Sequence, residues 1–305
     1  MRAETLTLIL SSAVASMAAI AAAGANITIQ TVTVGDVGNA ADITGYGAVN
    51  YQYSIGRYEV TNAQYAAFLN AKAATDAYGL YHTSMAGTYG GINRSGSSGS
   101  YTYSTKSGRE NWAVNYVSFW DAARFSNWLQ NGQGSGDTET GTYTLGGVTN
   151  PTSALVTRNP GSTWAIASEN EWYKAAYYKG GSLNAGYWLY PTQSDSITTA
   201  MANYGNVVAT ITPVGSYAFS SYYGAFDMGG NVSEWNEAIT SATHRSRRGG
   251  FFADGPHMLE ADSWGGYDAT SENYHFGFRV VQIPGPSSIA LLAIAGLGGR
   301  GRRRA

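Results

Sequence analysis

The sequence predicts an α+β chain in which a few short helices and a small irregular sheet lie under long loops. Three observations carry that expectation. A hydroxyl residue followed three positions later by a carboxylate or amide occurs at Thr61-Asn-Ala-Gln64, Ser118-Phe-Trp-Asp121 and Ser168-Glu-Asn-Glu171. This spacing is the capping box of a helix start, in which side chain and backbone satisfy donors that the first turn leaves free. The stretches Gly87–Tyr103, Gly132–Thr142 and Ser182–Ser196 are rich in Gly, Ser, Asn and Tyr and carry no 3.6-residue period, so they read as loops. Among 305 residues, 39 Gly, 23 Tyr and 8 Trp stand beside only 7 Pro, which describes many turns and a core built largely from aromatic rings.

Each element follows in chain order. After Met1-Arg2, an apolar run from Leu6 to Ala23 ends at the small-x-small pattern Ala23-Gly24-Ala25, so residues 1–25 read as a secretory signal peptide and residues 26–49 as an N-terminal extension. The three capping boxes open amphipathic helices whose inward faces are Tyr65, Phe68 and Leu69, then Phe125, Trp128 and Leu129, then Trp172, Ala175 and Ala176. Val207–Val214 reads as a brief strand. No repeat of 20–50 residues breaks up the body, which is predicted as one domain over residues 50–282. Residues 283–305 join Pro284-Gly285-Pro286-Ser287-Ser288 to the apolar run Ile289–Leu297 and four arginines. That run is about half of the roughly 20 residues a stable span needs, so it predicts only transient membrane contact with the arginines left in the cytoplasm.

Composition excludes several function classes. There is no cysteine, which removes disulfides, thiolate metal sites and thiol nucleophiles. His82, His244, His257 and His275 lie far apart and form no zinc-hydrolase signature. Without residues 1–25 and the tail, the body holds 13 basic and 19 acidic residues, net −6, which speaks against nucleic acid or anionic lipid as partner.

Six blocks then carry a resemblance. Tyr58-Glu-Val-Thr-Asn-Ala-Gln-Tyr65 with Phe68, Val117–Trp128, Glu169-Asn-Glu-Trp172, Gly224–Trp235, Arg248-Gly-Gly250 and Gly277-Phe-Arg-Val280 stand in the order and spacing of the sulfatase-modifying-factor domain, the formylglycine-generating-enzyme family. The resemblance implies an elaborated C-type-lectin-like fold with a small antiparallel sheet, few short helices and much irregular loop. The tail resembles the PEP-CTERM sorting segment of bacterial exported proteins, with Gly285 where that motif has Glu, and so implies an exosortase-type processing enzyme as partner and an envelope or extracellular destination.

The family's oxidase chemistry does not follow. Its two copper-binding cysteines match Asp254 and Leu259, and a carboxylate and an alkyl group cannot hold Cu(I). No copper is therefore expected. The three-histidine iron site of related sulfoxide synthases sits in an added helical domain that this chain lacks. What the resemblance does imply is structural calcium at Asp227, Gly230, Val232 and Glu234, two ligands by side chain and two by backbone carbonyl, with capping of turns as the simpler role for both carboxylates. A second family calcium site matches only at Asn203 and Tyr204. Asp36, Asn39 and Asp42 read as an acidic loop or as plain turn chemistry. Trp112, Trp120, Trp128 and Trp172 read as core, whereas Trp264, Tyr267 and Tyr274 read equally as core or as a surface platform. Asp254 and His257 form an acid/base candidate with no nucleophile beside it.

Two readings of function follow. One is an exported, non-catalytic binding module, stiffened by calcium, that holds a glycan, peptide or matrix ligand. The other is an enzyme of the sulfatase-modifying family with altered, cysteine-independent chemistry around Asp254 and His257.

Overall fold

The computed structural model describes residues 26–149 and 155–285. The signal-peptide segment and the Ile289–Leu297 run lie outside the described residues. Ten strands and three helices form within them: β1 Thr31–Val34, β2 Tyr53–Gly56, α1 Asn62–Lys72, β3 Ile92–Ser95, β4 Thr102–Thr105, α2 Phe119–Gln130, β5 Trp164–Ile166, α3 Glu169–Tyr177, β6 Ser233–Ile239, β7 His244–Arg248, β8 Gly265–Asp268, β9 Phe276–Phe278 and β10 Val280–Gln282. No helix among them is long and apolar enough to cross a membrane.

The three helices begin where the capping boxes place them. Thr61, Ser118 and Ser168 each accept a hydrogen bond from the backbone three residues on, and Gln64, Asp121 and Glu171 return it. All nine residues expected on the inward faces are buried. α2 departs from the amphipathic expectation, because every residue from Phe119 to Leu129 is buried. Its polar residues find partners inside: Arg124 Nε donates to Glu139 at 2.7 Å, and Asn127 Nδ2 donates to the carbonyls of Thr138 and Tyr143. Satisfied polar groups let the helix be covered on every side.

Strands assemble into two four-stranded sheets and a hairpin. The first sheet has the order β1-β2-β10-β5 and is antiparallel throughout. Residues 26–49, read as an extension, supply its edge strand β1. The second sheet has the order β8-β7-β6-β9, antiparallel except that β6 and β9 run parallel. Such a pair needs a long crossover, here the segment carrying β7 and β8. The hairpin β3-β4 corrects the loop expectation for Gly87–Tyr103. Its four-residue strands are too short to show alternation, and they are held against the end of α1, where the Tyr103 hydroxyl of β4 donates to the Ala73 carbonyl at 2.8 Å. The strand expected at Val207–Val214 is absent. Asn206 and Ala209 take φ of +58° and +59°, which bends the segment, and Val207 stays 68% exposed.

One aromatic-rich cluster, including Trp120, Trp128, Trp172 and Trp235, fills the space between the two sheets and the helices. At its edge, capping-box residue Asp121 accepts from the Ser118 amide and hydroxyl and lies beside Glu272. Burial pushes Asp121 up to about 6. Burial, then the Asp121 charge, pushes Glu272 up to about 9. An acid whose pKa is higher folded than unfolded favours the native state at low pH, and the advantage is lost as pH rises from its unfolded value of about 4.3 toward the folded one. Glu272→Gln is therefore expected to raise the urea midpoint more at pH 8 than at pH 5. An equal shift at both values would contradict the raised pKa of Glu272.

Candidate functional site

The loop Asp227–Glu234 is coiled by three left-handed residues, Asp227 at φ +55°, Gly230 at +80° and Asn231 at +60°. Gly230 has no alternative, since a Cβ there would lie 2.2 Å from the Asn203 carbonyl oxygen. Its amide donates to Gly249 O at 2.8 Å, and Gly249, at φ +88°, would in turn push a Cβ to 2.9 Å from Met228 O. The two glycine-bearing blocks are thus locked face to face.

Glu234, the first β6 residue but one, is 1% exposed. Arg279, which separates β9 from β10, grips it with Nε to Oε2 at 2.6 Å and Nη2 to Oε1 at 2.5 Å. Trp172 Nε1 adds a third bond to Oε2 at 2.7 Å. The rest of the Arg279 guanidinium donates to Gly56 O and Phe226 O. Trp235, next on β6, donates from Nε1 to Val117 O at 2.9 Å. Residues from three motif blocks, Trp172, Glu234 and Arg279, therefore meet in one ion-pair cluster, and Trp235 ties a fourth block in beside it.

Two further buried acids stand near it. Glu59, 2% exposed, accepts from Asn231 Nδ2 at 2.9 Å through Oε1, while its Oε2 has no partner among the described residues. Burial and the neighbouring Asp227 hold Glu59 well above the usual carboxylate range. Burial pushes Asp227 up to about 6, against one bond from the Gly215 amide at 2.5 Å. Glu234 alone is bonded to Arg279, and Glu59 and Asp227 feel that guanidinium only as a nearby charge. A cavity of about 350 Å³ opens beside Glu59, lined also by Thr28, Gln30, Tyr58 and Gln64.

The ligand types implied for calcium fit this loop in part. Asp227 carries an oxygen not engaged by Gly215, and among the described residues no hydrogen bond reaches the carbonyls of Gly230 or Val232. Glu234 fits less freely, because Arg279 and Trp172 engage both of its oxygens. Among the described residues no three His, Asp or Glu side chains gather as a metal cluster, so carbonyls would have to complete a shell of six to eight oxygens. Asn203 belongs to the wall of the same loop: its carbonyl accepts from the Asn231 amide and its Nδ2 donates to Thr210 O. Tyr204 packs with Tyr190, Ala202 and Leu259 in a separate apolar cluster.

Leu259 is fully buried there, on the single-turn helix Pro256–Leu259. Asp254 accepts from the Phe251 amide at 3.0 Å, and burial raises its pKa. His257 is exposed on the one-turn helix. The acid/base candidate therefore consists of a turn-capping carboxylate and a surface imidazole. Asp36, Asn39 and Asp42 are engaged by separate protein donors: Asp36 by the Tyr223 hydroxyl at 2.8 Å, Asn39 by the Val49 amide at 3.2 Å, Asp42 by the Ile43 amide at 2.7 Å and by Tyr173. Of the tryptophans, Trp120, Trp128 and Trp172 are core, Trp112 packs partly buried on a small cluster, and Trp264 is 49% exposed. Tyr267 is 39% exposed, whereas Tyr274 is wedged against Tyr89 and Phe252.

Glu59, Arg248 and Arg279 stand inside the motif blocks, and no local pattern assigns them a role. The available signal was charge: in a chain with only 12% charged residues, an ionisable side chain inside an aromatic block is costly unless it is paired.

The sulfatase-modifying factor enzyme 1-like domain matches residues 35–283. Solved structures similar in fold include the following two. The crystal structure of CarF is 24% identical, with 84% of this chain and 99% of that one covered at a TM-score of 0.55. The Treponema denticola variable protein 1 is 17% identical, with coverage of 86% and 97% and a TM-score of 0.57. No protein of curated function matches. The match over most of the chain, on a helix-poor scaffold of short strands consistent with an elaborated C-type-lectin-like fold, places this protein in the sulfatase-modifying-factor family.

Proposed function

We propose that the chain is an exported, non-catalytic binding module of this family, with calcium in the Asp227–Glu234 loop. The observation that carries the reading is chemical: the sequence holds no cysteine, and Asp254 and Leu259 occupy the matching positions. The geometry adds support, since Leu259 is sealed in an apolar cluster and Asp254 caps a turn. Purified protein supplied with copper is accordingly expected to convert no cysteine of a sulfatase-type peptide to the aldehyde, as read by mass spectrometry. Aldehyde with turnover would sink the proposal in favour of the enzymatic reading.

Calcium is favoured by the carboxylate excess and by the unengaged carbonyls of Gly230 and Val232. A ligand that binds only the folded state stabilises it by about 2.7 kcal/mol at a hundredfold excess over Kd. Millimolar calcium should raise the melting temperature over that in chelator, and Asp227→Asn should remove most of the rise. Asp227 is the cleaner variant, because Glu234 also anchors Arg279 and its loss destabilises the chain with or without calcium. A melting curve indifferent to calcium leaves these acids as turn caps.

Export rests on residues 1–25 and on the tail at 283–305. Mature protein recovered from envelope or medium should begin near Asn26 and lack Ile289–Leu297 peptides. A soluble chain that still starts at Met1 would refute export.

A further inference from the structure

Near the Glu234–Arg279 pair, one buried carboxyl keeps an oxygen that no protein group engages. Glu59 is 2% exposed, its Oε1 accepts from Asn231 Nδ2 at 2.9 Å, and its Oε2 has no hydrogen-bond partner among the described residues. Glu59 also lines a cavity of about 350 Å³, bounded by residues 28–30, by the segment that leads from β2 into α1, and by Pro213 and Val214. That volume falls within the range of small-ligand sites, about 300–1,000 Å³.

Charge decides the kind of guest. Among the described lining residues Glu59 is the one acid, and no Lys, Arg or His stands with it. The guanidinium that acts on it, that of Arg279, is already bonded to both oxygens of Glu234, and the neighbouring Asp227 adds a further negative charge. A buried acid in this setting is costly while it lacks a partner, and the group that completes it best is a donor carrying positive charge. The rest of the wall shapes the body of that donor. Ile29, Val60, Pro213, Val214 and Val280 offer apolar surface to a methylene stem, and Gln30 and Asn111 bring amide groups for the remaining N–H bonds of an ammonium, which has three. A hard metal ion is the poorer guest, since among the described residues no three His, Asp or Glu gather to hold one. One free carboxyl oxygen also suits the point charge of an ammonium, whereas the fork of a guanidinium asks for two.

We propose that this cavity takes a primary alkylammonium, the side chain of a lysine in a peptide or protein ligand, with its stem on the apolar wall and its head on Glu59. A free diamine fits less well, because the lining offers no second acid to its second charge. The net charge of −6 on the body draws basic ligands toward the surface. The proposal rests on the binding-module reading and narrows its ligand to a lysine-bearing chain, but the two fail separately: aldehyde formation would sink that reading whatever this cavity holds.

Calorimetric titration of the purified protein tests it, in chelator so that no calcium sets its own charge beside Asp227. N-acetyl-lysine methylamide is expected to bind. N-acetyl-norleucine methylamide, which keeps the stem without the ammonium, should bind about tenfold more weakly, as should the arginine analogue and putrescine. Glu59→Gln should remove the preference for lysine over norleucine. If that variant does not fold, Val214→Trp, which fills the cavity from a half-buried position, should abolish lysine binding instead. Absence of heat with the lysine probe overturns the site, and norleucine bound as tightly as lysine overturns the role of Glu59. Putrescine bound as tightly as lysine overturns the peptide in favour of a free polyamine, and equal binding of arginine overturns the choice of ammonium. A lysine preference that survives Glu59→Gln, or lysine binding that survives Val214→Trp, overturns this cavity as the place where the ammonium sits.

Discussion

The contact on which the rest of this structure depends is the buried pair of Glu234 and Arg279, closed by Trp172. It joins the start of β6, the junction of β9 and β10, and α3, and Arg279 also ties down the carbonyls of Gly56 and Phe226. In a chain without disulfides and with short strands, one such knot fixes how the two sheets sit against each other. Its stabilising worth is smaller than its ordering role. Replacing a buried pair by apolar residues is often neutral, whereas stranding one partner costs about 3–5 kcal/mol. The pair therefore enforces a single arrangement more than it adds stability.

Around that knot the protein carries more buried charge than it neutralises, and the imbalance has opposite signs in two places. On one side, Glu59 and Asp227 stand near Glu234 with only Arg279 to share, and burial raises both acids toward their neutral forms. On the other, Arg247 lies over the rings of Tyr267 and Phe276, with no carboxylate within ion-pair distance among the described residues. An excess of buried acid asks for protons or a cation, and an excess of buried base asks for an anion. The proposed calcium loop follows from the first of these.

The family fold and the family's chemistry make separate demands on the sequence. The positions that the resemblance matches to the family's cysteines, Asp254 and Leu259, are a turn-capping aspartate and a buried leucine. Glycines at 230 and 249, the capping boxes and the Glu234–Arg279 pair hold backbone geometry, and none of them requires a thiol.

The sequence by itself determined the three helix starts and their inward faces, because a capping box acts across three residues and a helix repeats every 3.6, so both can be read locally. It also determined the loss of thiol chemistry, a matter of composition. The β3-β4 hairpin and the bent segment at Val207–Val214 were decided by tertiary structure, since short strands and left-handed turns take their form from what packs on them. The same holds for the site. Glu234 and Arg279 are 45 residues apart, Glu59 and Asn231 are 172 apart, and Arg248 meets Glu169 across 79 residues. Charges so distant in sequence have no local signature, and whether each is paired or left seeking a partner is settled only when the chain closes around it.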